Sequence, residues 1–242
     1  LAAQPVLIDL QTPQGARRAL VQATRRGDIF VLDRATGAPI FPVGERRAPQ
    51  DVAAVESLAP TQPRSAVTVQ GPELAERAMW GLTPIDQMLC RIQFRSLRHQ
   101  GAFTSPGKEP WLAASDLSGR WSEVSVDEER GVLIANTSLA PTIDVLLGRT
   151  VTHPAAHTGD DLAGDEPPFL RFTHAFLGVS DLPCTAPPWG RIQAVDLATG
   201  HMLWSRALGT AYDLGPFHWR SHLQWTIGAP NLGGAITTRG GL

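Results

Sequence analysis

Four positions in this chain could hold a flat, oxygen-rich ligand. Arg25 stands just before the strand that begins near Asp28. Its planar guanidinium offers paired N–H donors to two adjacent acceptors. A fixed cation there would also stabilise negative charge developing on an oxygen. The plain alternative is a solvated surface arginine beside Arg26. Asn136 closes the apolar strand Val132-Leu133-Ile134-Ala135. Its carboxamide can donate and accept at once, or it can cap its own backbone in a turn. Leu232 and Gly233 open the run Leu232-Gly233-Gly234. Paired glycines let backbone approach a flat ring closely; an ordinary loop before a strand is the competing reading.

Other constellations are weaker. His153 with His157, and His218 with His222, repeat at a four-residue spacing. Pro154 argues against a helix for the first pair, and the second has no matching third ligand nearby. Asp160, Asp161, Asp165 and Glu166 read as a solvated acidic loop rather than a calcium site. Cys90 and Cys184 are the two cysteines. They could pair if the compartment is oxidising, or they could be two separate buried thiols; spacing alone leaves both open. No Ser-His-Asp set, dinucleotide loop or phosphate loop is present. The formal net charge of −2 implies no basic face for nucleic acid. No apolar run approaches the ~20 residues of a membrane-spanning helix.

The elements that must position these residues are strands. The chain has 242 residues with 23 Gly and 20 Pro, which favours short strands and many turns. Gly27–Gly37 and Gly190–Gly200 carry one pattern, G-x-I-x-[AV]-x-D-x-A-T-G, with an aromatic four residues further on, Phe41 and Trp204. Alternating strands around a D-x-A-T-G turn make a hairpin signature. Its recurrence points to a β-propeller. Asp127-x-x-x-Gly131 keeps the Asp–Gly spacing in degenerate form. Strands are expected at Arg18–Thr24, Asp28–Asp33, Ala38–Phe41, Trp111–Ser115, Glu123–Asp127, Val132–Asn136, Trp189–Asp196 and His201–Leu208. Pro42–Ser65, His153–Pro168 and Thr210–Pro230 read as surface excursions. Thr83–His99 reads as a helix: Thr83 can cap it, Pro84 suits its first turn, and Asp86 sits near its positive end. Ile85, Met88, Leu89, Ile92 and Leu97 recur at roughly helical spacing.

The repeated motif resembles the tryptophan-docking motif of propeller quinoproteins. Arg25–Arg34, Thr61-Gln62-Pro63, Met79-Trp80-Gly81, Asp86–Arg91, Ile134-Ala135-Asn136 and Leu182-Pro183-Cys184 occur in the order found in one group of them. That group is the membrane-bound, pyrroloquinoline quinone (PQQ) dependent dehydrogenases of the glucose/quinate/shikimate type. The likeness covers nearly the whole chain. It is weakest at Ser65–Glu76 and His153–Ala175.

The resemblance implies an all-β fold: part of a propeller that is eight-bladed in the family, with a helical insertion at about 83–99. Residues 1–242 would form one incomplete PQQ-binding domain. It implies that Arg25 and Asn136 contact PQQ, and that Leu232 and Gly233 lie in the cofactor floor. The glucose enzymes usually have Lys where Arg25 stands. Trp121 matches a tryptophan near the active site, but Ser122-Glu123 replaces the usual pair of glycines. The implied reaction is oxidation of a sugar or cyclic polyol, glucose-type first and quinate or shikimate second, with electrons passed to ubiquinone from the periplasmic side of the inner membrane. The catalytic Asp and the ligands of a divalent cation (Ca or Mg) are expected upstream of Leu1, so no catalytic residue and no metal ligand is expected within the chain. Leu1 and the strand opening at Gly233–Leu242 read as the ends of an internal fragment, expected to be inactive alone. A non-catalytic propeller scaffold would explain the repeats, but not Arg25, Asn136 and Asp86–Arg91 together.

Overall fold

The computed structural model describes residues 4–12, 15–50, 59–104, 109–113, 124–148, 169–230, 233–238 and 240. β1 (Val6–Thr12), β2 (Gly15–Ala23) and β3 (Ile29–Asp33) form an antiparallel meander. β4 (Val43–Arg47) and β5 (Thr61–Ser65) form a separate hairpin. The helix α1 (Pro84–Ser96) follows. Then come β6 (Trp111–Ala113), β7 (Val124–Asp127), β8 (Val132–Ser138), β9 (Thr142–Gly148), β10 (Phe169–Ala175), β11 (Gly190–Asp196) and β12 (Met202–Ala207). They build two more antiparallel sheets, ordered β12-β11-β8-β7 and β10-β9-β6.

Period-two alternation explains the main core. Ala19, Val21 and Ala23 of β2 turn one way and meet Leu133 and Ala135 of β8 and Val195 of β11 in one buried cluster. The first meander and the four-stranded sheet therefore pack face to face, as neighbouring propeller blades do. Each fully buried Val or Leu contributes about 1.5–3 kcal/mol of transfer free energy.

The two docking motifs adopt the same turn. The Asp33 carboxylate accepts from the N–H groups of Ala35 (3.0 Å) and Thr36 (2.9 Å). Asp196 accepts from Ala198 N–H (2.8 Å) and the Thr199 hydroxyl (2.7 Å). Gly37 and Gly200 take φ of +73° and +75°. The degenerate copy behaves alike, with Arg130 N–H donating to Asp127 at 3.0 Å and Gly131 at φ +63°. The aromatic of the first motif reaches the second. A Cβ on Gly200 would lie 3.2 Å from the Phe41 ring and 2.9 Å from Val67 Cγ2. Phe41 thus seats on a glycine of the neighbouring blade.

The Thr36 N–H and hydroxyl hold the Asp33 carboxyl below its ordinary value of 3.8. A lowered carboxyl stabilises the fold above the ordinary range and loses that contribution as pH falls through its folded value. The stability gap between wild type and Asp33→Asn is therefore expected to close below about pH 3.8. Urea midpoints across pH 2–6 (about the range over which carboxylates titrate) would show it; a gap independent of pH would refute it.

Two expectations need correction, and the helix has an orientation that the spacing left open. Pro42–Ser65 is not only an excursion, since it contains the β4–β5 hairpin, with Val43 opposite Ser65 and Arg47 opposite Thr61. Every β4 residue is exposed, so no apolar alternation marks it. Ala38–Phe41 begins no strand; it makes the single bridge Leu32 to Pro39. On α1, Ile85, Met88 and Ile92 face outward, while Phe94 and Leu97 pack against the Cys90 cluster. Thr83 caps the helix through Asp86 N–H (3.2 Å), as expected. The inward face, however, carries Asp86 and Cys90, whereas Ile85, Met88 and Ile92 are exposed.

What holds α1 is polar and covalent. The Asp86 carboxylate accepts from Leu82 N–H (3.0 Å), Val179 N–H (3.0 Å) and the Ser180 hydroxyl (2.6 Å). Cys90 is bonded to Cys184, which settles the pairing left open above. Gly178 passes so close that a Cβ would overlap the Asp86 carboxylate, 2.2 Å from Oδ1. Within β9, Asp144 is fully buried and satisfied by Arg171 and Thr173 of β10.

Candidate cofactor site

Arg25 lies in the turn between β2 and β3, and its side chain is exposed. The turn is rigid. Gly27 N–H donates to Thr24 C=O at 2.9 Å, and Thr24 N–H donates to Asp28 C=O at 2.9 Å. Gly27 sits at φ +83°, where a Cβ would lie 3.0 Å from the Gln70 backbone nitrogen, so only glycine fits. Its carbonyl accepts from Val69 N–H and from the Thr68 hydroxyl.

Beneath the turn, Asp28 is buried and pairs with Arg64 Nε at 3.1 Å. Burial pushes the Asp28 carboxyl up, while the Arg64 guanidinium pulls it back down. Arg26 lies over the Phe103 ring at 4.6 Å. Motif order pointed to Arg25, but nothing in the pattern marked Arg64 and Phe103 as the support beneath it.

Asn136 sits on β8 opposite Ile192 of β11 and is 6 % exposed. Its Nδ2 donates to Gly233 C=O. Two of the four predicted positions are therefore in direct contact. Gly233 itself is open: a Cβ there would meet nothing within 4 Å. The segment after it is pinned at its far end, where Thr237 N–H donates to the Ser125 hydroxyl (2.8 Å) and the Thr237 hydroxyl to Val126 C=O (3.2 Å). Ser125 alternates with Val124 and Val126 on β7, a signal that a period-two reading could have used.

Arg25 and Asn136 stand on different sheets, but those sheets share a core. Ala23, two residues before Arg25, and Ala135, next to Asn136, belong to one buried cluster. Leu232, Trp121, the His153–His157 pair and the acidic run Asp160–Glu166 lie outside the described residues. The second histidine pair is spoken for by other contacts. His218 faces Asp181 at 3.4 Å, and His222 meets the Tyr212 ring edge-on at 5.0 Å. A groove of about 590 Å³ between the two docking turns, lined by Arg17, Thr36, Ile40 and Ala198, touches none of the candidate residues.

Comparison with known proteins fits this architecture. The chain is 37 % identical over its whole length to the glycerol dehydrogenase large subunit of Gluconobacter thailandicus, of which it covers 36 %. It is 38 % identical over its whole length to a "Probable quinate dehydrogenase (quinone)" of Xanthomonas campestris pv. juglandis, covering 32 % of that protein. It is 35 % identical over 99 % of its length to the quinoprotein glucose dehydrogenase of Escherichia coli (strain K12), covering 32 %. The chain thus spans about a third of the length of these relatives. Residues 1–242 match the PQQ family model described as "Glucose/ethanol/alcohol dehydrogenase, beta-propeller domain", and the chain belongs to that family.

Proposed function

We propose that the chain is part of a PQQ-dependent dehydrogenase that oxidises a sugar or cyclic polyol, glucose-type first, and passes electrons to ubiquinone. Its place is the periplasmic side of the inner membrane. The observation that carries the reading is the contact between the Asn136 amide and Gly233, which joins two separately predicted positions. The donor set suits PQQ: a guanidinium at Arg25, an amide at Asn136, and a glycine backbone with open space above it. Leu232, outside the described residues, is assigned to that floor by the family resemblance alone.

When bound, PQQ supplies a quinone carbonyl that accepts two electrons from an alcohol carbon, next to a divalent cation that acts as Lewis acid. The chain's own residues orient and stabilise. Arg25 holds a fixed positive charge on a turn that cannot give way. Asn136 fixes the height of the Gly233 backbone. Neither moves a proton; the base that takes the substrate proton belongs to sequence outside Leu1–Leu242.

The quinate/shikimate reading is the runner-up, favoured by the 38 % identity to the Xanthomonas quinate enzyme. A panel of glucose, quinate, shikimate and glycerol on the full-length, PQQ-loaded protein would separate the substrates. On the best substrate, Arg25→Gln is expected to lower kcat by about 100- to 1000-fold, as loss of one charge-stabilising donor does. Arg25→Lys should restore most of it. Wild-type kcat and PQQ affinity in Arg25→Gln would overturn the assignment of Arg25.

A further inference from the structure

The outward face of α1 carries an apolar stripe that no described residue covers. Ile85, Met88 and Ile92 recur at i, i+3 and i+7 and line one stripe. The stripe does not end with the helix. Val179 is tied to the helix start through Asp86, and Phe217 N–H donates to Ser180 C=O at 2.9 Å. The Phe217 backbone thus lies near the helix start, and the Phe217 and Trp219 side chains are exposed beside it. These six side chains are all more than half exposed, from 52 % at Met88 to 78 % at Trp219. An apolar surface of this extent on a soluble face marks an interaction site.

The charge around it selects the partner. Arg77, Arg91 and Arg95 flank the stripe. Glu76 pairs with Arg95 at 2.8 Å, and at the Phe217–Trp219 end Asp181 and Asp213 face His218 and Arg220. Asp86, the acid of α1 itself, is buried. The border is thus net positive. Isoleucine and methionine on one face, arginines at the edge and an exposed tryptophan at the rim are the composition of a helix lying in a lipid headgroup layer. The Cys90–Cys184 bond and the Asp86 hydrogen bonds tie the helix to the Val179–Cys184 segment, so its backbone needs little ordering when it seats.

We infer that α1, with the Val179 turn and the Phe217–Trp219 segment, docks this propeller onto an anionic phospholipid surface. This deepens the proposed membrane location and rests on it, but not on the cofactor chemistry. The test is oxidative footprinting of the full-length protein, held in lipid-free amphipol, in phosphatidylcholine bilayers or in phosphatidylglycerol bilayers.

Labelling of Met88 and Trp219 is expected to fall several-fold in phosphatidylglycerol relative to the other two. It should recover at about 0.5 M salt, where the Debye length shrinks to roughly 4 Å. Arg91→Gln with Arg95→Gln should abolish the fall while leaving dehydrogenase activity unchanged. Equal heavy labelling in all three media would mean the face stays in water. Equal protection in all three would mean the protein's own chain covers it. Protection that grows with protein concentration would mean a second copy does, and protection identical in the two bilayers would mean that charge plays no part. Each of these sinks the proposal. Activity measured on the same samples reports the dehydrogenase reading separately.

Discussion

Removing the Cys90–Cys184 bond, by replacing both residues with alanine, is expected to lower the unfolding free energy by about 4–5 kcal/mol. That is the chain-entropy value for a closed loop of roughly a hundred residues. The two cysteines are 94 residues apart in sequence. Both sulfurs lie in a buried cluster with Met79, Leu112, Ile143 and Phe176. Alanine is preferred to serine because a buried hydroxyl would add its own desolvation cost. Phe94 and Leu97 also pack against that cluster, so the bond adds to an attachment that is partly apolar. Urea unfolding of the double variant should match that of the wild type treated with reductant. If both keep the oxidised midpoint, the Asp86 hydrogen bonds and the apolar packing hold the helix without the bond.

The second large effect is expected at Gly200. Gly37 and Gly200 share a positive φ, so a side chain at either is strained by about 1–3 kcal/mol. Their surroundings differ. A Cβ at Gly37 meets nothing within 4 Å, whereas one at Gly200 presses on the Phe41 ring and Val67. Overpacking of a filled contact adds about 1–3 kcal/mol. Gly200→Ala should therefore destabilise by about 2–6 kcal/mol in total, and Gly37→Ala by the strain alone. Thermal unfolding of the two variants isolates the docking contact as their difference. Equal melting temperatures would mean that Phe41 does not press on the neighbouring blade.

The parts of the fold legible in the sequence were those with local chemistry. The two D-x-A-T-G turns, the Thr83 cap and the paired strands around Val21 and Val31 follow from short-range rules, and the structure contains them. What stayed hidden depends on distant partners. β9 carries a fully buried Asp144, acceptable only because Arg171 and Thr173 stand opposite on β10. α1 showed apolar residues at helical spacing, but a buried acid and a disulfide decide which face turns inward. No periodicity could show that, because Val179, Ser180 and Cys184 are far along the chain. At the site, order and likeness to a family marked Asn136 and Gly233. Their hydrogen bond is a tertiary fact.

The Phe41–Gly200 contact also bears on how the protein is made. The first motif's aromatic ring has its seat on a turn synthesised much later. At about 5–20 residues per second, the ribosome needs roughly ten to thirty seconds to deliver that glycine after Phe41 emerges. Throughout that interval the nascent first blade lacks this cover for Phe41 and Val67. The contact between the two docking turns is therefore among the last of this part of the propeller to form.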